Sequence, residues 1–297
     1  MKYPRIEYMH IARSVADFDY FLRWGCEIWY LISGDVRYFV ENQIYEVEPG
    51  DLIITNPNEI HKPTFKSNTI YERITLCFDP TFFSQFSTES FDLLSCFYDR
   101  KSGVGNKITL TAEEDVYIRE LFSRIERARE SDEASRDIQQ SALVIELLIL
   151  IGKAAVSSAD EERRGGMSGL VTEVINYIGE NLKDDLSLEA LEKRFFVSGA
   201  HLCRSFKAET GITLHKFIVK KRISYAKILL SEGASVTHTM SASGFSDLSN
   251  FIRSFKRIVG ITPSEYRRDP DVHALQAQHK VAEGSELKRK SAHSPKI

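Results

Sequence analysis

Two kinds of apolar spacing divide this chain. Between residues 27 and 78, short aromatic and β-branched runs alternate with turn signals. Glu27–Ser33 ends at Gly34-Asp35, Val36–Val40 runs to Asn42-Gln43, Ile44–Val47 follows, Pro49-Gly50-Asp51 precedes Leu52–Thr55, and Tyr71–Phe78 closes the series. Runs of this length and spacing predict a β-sandwich or barrel. From residue 112 the period becomes helical, over 112–129 and 135–156. In the second stretch Ile138, Ala142, Ile145, Leu148, Ile149 and Gly152 share one side, and Leu143, Leu147, Leu150 and Ile151 widen it. A helix this apolar has to bury most of its surface, against its own β-domain or against a second copy of the chain.

After a polar segment ending in Gly165-Gly166, residues 168–268 carry helical spacing almost throughout, with an internal repeat. Arg204-Ser-Phe-Lys207 leads to Gly211-Ile-Thr213, and Arg253-Ser-Phe-Lys256 leads to Gly260-Ile-Thr262, at a constant offset of 49 positions. The same offset aligns Ser198 with Asp247, both good N-cap residues, and Phe196 with Phe245. One supersecondary unit therefore occurs twice. In each, a short helix (Ser187–Arg194 in the first) meets a capped second helix across a tight turn. Leu202 and Phe206, or Phe251 and Phe255, share its inner face. Arg204 and Lys207, or Arg253 and Lys256, take other faces, and Gly211 or Gly260 supplies a left-handed C-cap. A capped, basic second helix after a tight turn is what a helix-turn-helix places in the major groove. Between the units, Leu214–Ser231 reads as a connecting helix with Lys220, Lys221, Arg222 and Lys227 on its polar side. It would hold two recognition helices about 34 Å apart, one turn of DNA. The alternative is a helical bundle with solvated basic faces, against which the recurrence of caps, glycines and basic residues argues.

Charge sharpens this picture. The whole chain is −3, but residues 1–165 hold 19 Lys+Arg against 28 Asp+Glu, and residues 166–297 hold 20 against 14. The second half is the one suited to a polyanion. Apolar residues make up 42% and charged residues 27%, an ordinary globular composition. No run of 18 apolar residues is present, so no membrane span is expected. The N-terminus has no signal-peptide pattern. The four cysteines, Cys26, Cys77, Cys96 and Cys203, are scattered, as expected of reduced thiols in the cytoplasm.

The helical third resembles the AraC/XylS family of bacterial transcription regulators. The residues that carry the resemblance are Leu186–Leu191, Ser198 with Leu202–Lys207, Gly211, Gly244–Asp247, Phe251, Phe255-Lys256 and Gly260–Arg267. It implies a domain that binds double-stranded promoter DNA and activates transcription by contacting RNA polymerase. It places the DNA-contacting residues at Ser198, Gly199, Ala200, Cys203, Arg204 and Lys207 in the first unit. In the second they are Asp247, Leu248, Ser249, Ile252, Arg253 and Lys256. The chain departs from the family at Thr239-Met240 and Ser243, where apolar or smaller residues are usual, so the second supporting helix should be weaker. Leu248 and Ile252 reach only thymine methyl groups. The first unit is thus expected to supply most of the base discrimination.

Pro49–Pro57 with His61 resembles the second motif of cupin barrels, which in such regulators sense a small molecule, commonly a sugar. The ligand-lining residues it points to are Arg23, Trp24, Glu27, Trp29, Tyr38 and His61, with core packing as the alternative for each. One His and one carboxylate make a poor metal site, so no metal or other cofactor is expected. With no triad-like arrangement either, the chain is not expected to be an enzyme. The whole then reads as a two-domain α+β protein. A cupin-like sensing barrel occupies 1–110, dimerising helices 111–157 and a linker 158–167. An all-α tandem helix-turn-helix domain follows over 168–268, and a disordered tail over 269–297. The expected function is an effector-controlled activator acting as a homodimer. The alternative is a regulator whose barrel only dimerises or binds a protein partner.

Overall fold

The computed structural model describes residues 5–14, 24–65, 70–158, 164–165 and 168–268. Arg23, the tail at 269–297 and most of the 158–167 linker lie outside them. The chain divides into two compact units between Thr172 and Glu173.

The first unit carries strands β1 (Ile6–Ser14), β2 (Cys26–Ser33), β3 (Val36–Val40), β4 (Gln43–Val47), β5 (Leu52–Thr55), β6 (His61–Phe65) and β7 (Ile70–Phe78). Two short helices, α1 (Pro80–Phe83) and α2 (Ser95–Tyr98), precede β8 (Lys107–Ile108) and two long ones, α3 (Ala112–Glu130) and α4 (Arg136–Ser158). Among the described residues one sheet has the order β1-β7-β2-β5-β8, and the other β6-β3-β4-β9, with β9 (Arg164–Gly165) contributed by the expected linker. Every named pairing is antiparallel.

Alternation along β2 explains its unbroken apolar sequence. Ile28 and Tyr30 join a core with Phe122 of α3 and Leu147 of α4, whereas Trp29 and Leu31 point the other way, into a core with Val36, Tyr38 and Tyr45 of the opposite sheet. Both faces of the strand are covered, so both sets of positions are apolar. The turn after β3 sits one residue earlier than the Asn42-Gln43 signal suggests. Glu41 takes it in a left-handed conformation (φ 54), held because its carboxylate accepts the Ile60 N–H at 2.6 Å and its own N–H donates to the Ile60 carbonyl at 2.8 Å.

Helix α3 begins with a capping box. Thr111 Oγ1 accepts the Glu114 N–H, and the Glu114 carboxylate accepts the Thr111 N–H. Helix α4 is, contrary to the sequence expectation, long and apolar enough by length and composition to cross a membrane. Its apolarity has a use inside the domain, because Leu143, Val144, Leu147, Leu148, Ile151 and Ala154 all belong to the core beneath the first sheet.

From α5 (Gly169–Glu180) onward the chain is helical: α6 (Leu188–Phe195), α7 (Gly199–Thr210), α8 (Leu214–Ser231), α9 (Val236–Ala242), α10 (Leu248–Val259) and α11 (Pro263–Arg268). Phe206 of α7 packs on Phe217 of α8 with ring centroids 5.3 Å apart. Ile223, Ala226 and Leu230 of α8 share a core with Phe245, Phe251, Phe255 and Tyr266.

Candidate nucleic-acid interface

In the first helix-turn-helix, Ser187 caps α6 by accepting the Ala190 N–H. Phe196 ends α6 in a left-handed conformation (φ 55), and Ser198 opens α7 by accepting the His201 N–H at 3.3 Å. Helix α7 closes at Gly211 (φ 75), whose N–H donates to the Lys207 carbonyl. Leu202 and Phe206 are fully buried, which turns Ala200, Arg204 and Lys207 outward and leaves Cys203 half-buried. Gly199 does not join them. It is buried, its N–H donates to the Glu192 carboxylate, and an added Cβ would lie 2.7 Å from Leu188 Cγ. Its place in the set of DNA-contacting residues is corrected accordingly: with its N–H engaged and its Cα against α6, it sets how closely the two helices approach. His201, which the sequence reading passed over, is exposed at the same end of α7. Helical spacing from Arg204 would have found it, since it lies three positions earlier on the same side.

The second unit repeats this with one change. Ser235 caps α9, and Asp247 caps α10 by accepting the Asn250 N–H at 2.6 Å. Leu248, Ser249, Asn250, Arg253 and Lys256 are exposed and Ile252 half-buried, above a buried face of Phe251, Ser254 and Phe255. Gly260 (φ 93) is the C-cap. The cap-to-cap spacing, however, is one residue longer than in the first unit, so the offset of 49 does not extend through the turn. Phe245 is buried in the core, while Phe196, its partner in the sequence alignment, is 91% exposed. The left-handed position in the second turn is Gly244 (φ 85).

Thr239 and Ser243 are both fully buried beneath this unit. Ser243 Oγ donates to the Thr239 carbonyl at 2.6 Å, but Thr239 Oγ1 has no hydrogen-bond partner among the described residues. On the connecting helix, Arg222 and Lys227 are half-buried rather than solvated; desolvation pushes the Lys227 ammonium down to about 8.

In the N-terminal β-domain, four of the expected ligand-lining residues converge inside the two sheets. Glu27, Trp29, Tyr38 and His61 are each at most 2% exposed. Trp29 packs edge-on to Tyr38 at 4.9 Å, Tyr38 stacks near His61 at 6.1 Å, and Tyr38 Oη donates to Glu27 Oε1 at 3.4 Å. His61 Nδ1 donates to the Glu59 carbonyl at 2.9 Å, so its Nε2 faces Glu27 Oε1 at 3.5 Å. Among the described residues neither His61 Nε2 nor Trp29 Nε1 has a hydrogen-bond partner. Trp24 lies apart from this group, two residues before β2 and under the Arg5 guanidinium. No three metal-ligating side chains converge among the described residues.

Paired helix-turn-helix units after a two-sheet domain are the architecture of a DNA-binding regulator with a second domain attached. Comparison with known proteins agrees. Residues 17–148 match the AraC-like ligand binding domain and residues 191–269 a helix-turn-helix domain, the two together covering most of the chain. The chain belongs to the AraC family of transcription regulators, which is not a family of enzymes. An uncharacterized HTH-type transcriptional regulator of Staphylococcus aureus (strain COL) is 24% identical over 82% of this chain, which spans only 31% of that protein's length. The HTH-type transcriptional activator RhaS of Escherichia fergusonii is 28% identical over 52% of this chain and 54% of its own. Among solved structures, the C-terminal domain of AraT, a response regulator from Geobacillus stearothermophilus, is 29% identical over 35% of this chain and 88% of that one, with a TM-score of 0.34.

Proposed function

We propose that this regulator binds promoter DNA as a homodimer and activates transcription in the cytoplasm through RNA polymerase. In this reading α7 reads bases, α10 mainly grips the backbone, and a small polar effector, a sugar, is held in the barrel. The observation that carries the DNA part is the repeated geometry of α7 and α10. Each is capped at the end that enters a groove, buries its aromatic face and turns Arg204 with Lys207, or Arg253 with Lys256, outward. Ser198, Ala200 and Cys203 flank Arg204 on the reading helix, whereas Leu248 and Ile252 give the second helix no base-edge hydrogen bond. Asp247 and Ser249 complete its contact set.

Binding-site selection tests this division. Arg204→Ala should erase preference at one base position, at a cost of about 1–3 kcal/mol. Arg253→Ala should weaken all sites alike and reduce the salt slope by about 1. Equal loss of discrimination in both variants would sink it.

Support for the sensing role comes from the buried ring nitrogens of Trp29 and His61, the latter 3.5 Å from the Glu27 carboxylate, polar groups suited to hydroxyls. Homodimerisation is supported by Ile138 and Val156 of α4, 62% and 78% exposed. One observation favours the alternative of an effector-free barrel: Glu27, Trp29, Tyr38 and His61 fill the interior themselves, so an effector has to displace part of this packing. Footprinting with and without a sugar panel separates the two readings. Protection that no sugar alters would favour the second.

A further inference from the structure

Helix α8 joins the two helix-turn-helix units. Its first half buries Leu214, Phe217 and Ile218, and its second half shares the core of the second unit. If that helix were the only tie, bending or twisting along it would change the phase between α7 and α10. A second tie exists at Arg222, near the middle of α8. Its Nε–H donates to the Leu182 carbonyl at 3.0 Å and its Nη2–H to the Asp184 carbonyl at 3.0 Å, both in the loop that leads into α6. The same guanidinium lies 6.0 Å from the ring of Phe245, in the turn before α10. Gly244 of that turn approaches so closely that an added Cβ would stand 2.0 Å from the Leu182 carbonyl oxygen and 2.8 Å from Arg222 Nε.

The loop on the other side is itself braced. The Asp184 N–H donates to the Asn181 carbonyl at 3.0 Å, the Ser187 N–H to Asp185 Oδ1 at 2.9 Å, and Asn181 Nδ2 to the Tyr177 carbonyl at 2.8 Å. Arg222 therefore joins the entry to the first unit to the turn of the second, bypassing the length of α8.

We propose that Arg222 is a positioning residue for two-groove recognition: it rivets the α5–α6 loop to the α9–α10 turn and so fixes the spacing and phase at which α7 and α10 meet DNA. A planar fork suits two carbonyl acceptors at once, which a lysine ammonium on a flexible stem matches poorly. The inference rests on the reading that both units engage one DNA site.

The test uses the full chain and an operator selected with the wild-type protein. Derivatives of that operator carry one base pair inserted or deleted between the two contact boxes, which rotates one box by about 35° and moves it by about 3.4 Å. The wild-type protein should lose about 30-fold in affinity on either change. Arg222→Gln should bind the parent operator within several-fold of wild type, yet lose only about 3-fold on changing the spacing, with Arg222→Lys in between. Thermal melts check that the variants fold; should Arg222→Gln fail, Arg222→Lys is read by the same criterion. Affinity lost equally at every spacing overturns the rivet and leaves two-groove binding standing. A wild-type protein indifferent to spacing overturns both.

Discussion

In the first helix-turn-helix, three residues, 196–198, join the supporting helix to the recognition helix; in the second, five residues, 243–247, do so. Each joint needs a left-handed residue and one very close backbone approach, but the two units make them at different places. The first has Phe196 in the left-handed position, pointing into solvent, and makes its close approach at Gly199, inside the recognition helix. The second combines both demands in Gly244 and frees the position equivalent to Gly199 for Leu248, 42% exposed. The two copies of the motif are thus more alike in their second helices and caps than in their joints. What distinguishes the units is how each recognition helix is held.

The largest effect expected from this contrast is at Gly244. Gly244→Ala puts a methyl group 2.0 Å from a backbone oxygen at φ 85, where an L side chain is already strained. A loss of about 3 kcal/mol or more is expected in urea unfolding, with weakened DNA binding. Unchanged stability would show that the second joint tolerates what its geometry forbids.

A smaller effect of opposite sign is expected at Thr239. Its buried hydroxyl has no partner among the described residues, whereas the Ser243 hydroxyl is satisfied by a carbonyl. Thr239→Val keeps the shape and removes the orphaned group, so stability should rise by about 1–2 kcal/mol. Ser243→Ala should give no such gain. If the two substitutions have equal effects, the second unit is not weakened in the way its sequence suggests.

The repeat, its caps and its C-cap glycines were legible in the sequence because each rests on local chemistry: Ser198 and Asp247 accept N–H groups three residues on, and Gly211 and Gly260 take positive φ. The joints were not legible, since Phe196 and Phe245 align by residue type yet differ in burial through one inserted residue. Gly199 was misassigned for a related reason: position on a recognition helix predicts facing DNA, but only the path of α6 reveals that this position faces inward. In the β-domain, β2 to β5 and β7 follow their apolar runs. Strand β6 was missed because Pro63 breaks the pattern, and it tolerates that proline because, among the described residues, it is an edge strand. The grouping of Glu27, Trp29, Tyr38 and His61 depends on pairings across two sheets. Alternation could put each residue on a face but could not place the four together.

The smallest effect is also the one that tests the first joint most directly. Phe196 sits at φ 55 with its ring in solvent, so the fold gains little from the side chain and bears the left-handed cost of about 1–2 kcal/mol. Phe196→Gly removes that strain. Part of the gain, about 0.4–1 kcal/mol, is offset by the greater freedom of glycine in the unfolded chain. A net stabilisation of about 0.5–1 kcal/mol is expected in thermal or urea unfolding, with DNA affinity unchanged. That outcome would make Phe196 and Gly244 opposites: one left-handed position where glycine is an improvement, and one where nothing else fits. A fall in DNA affinity at unchanged stability would instead put the Phe196 ring on the nucleic acid, and the two joints would then differ in what they touch as well as in how they are built.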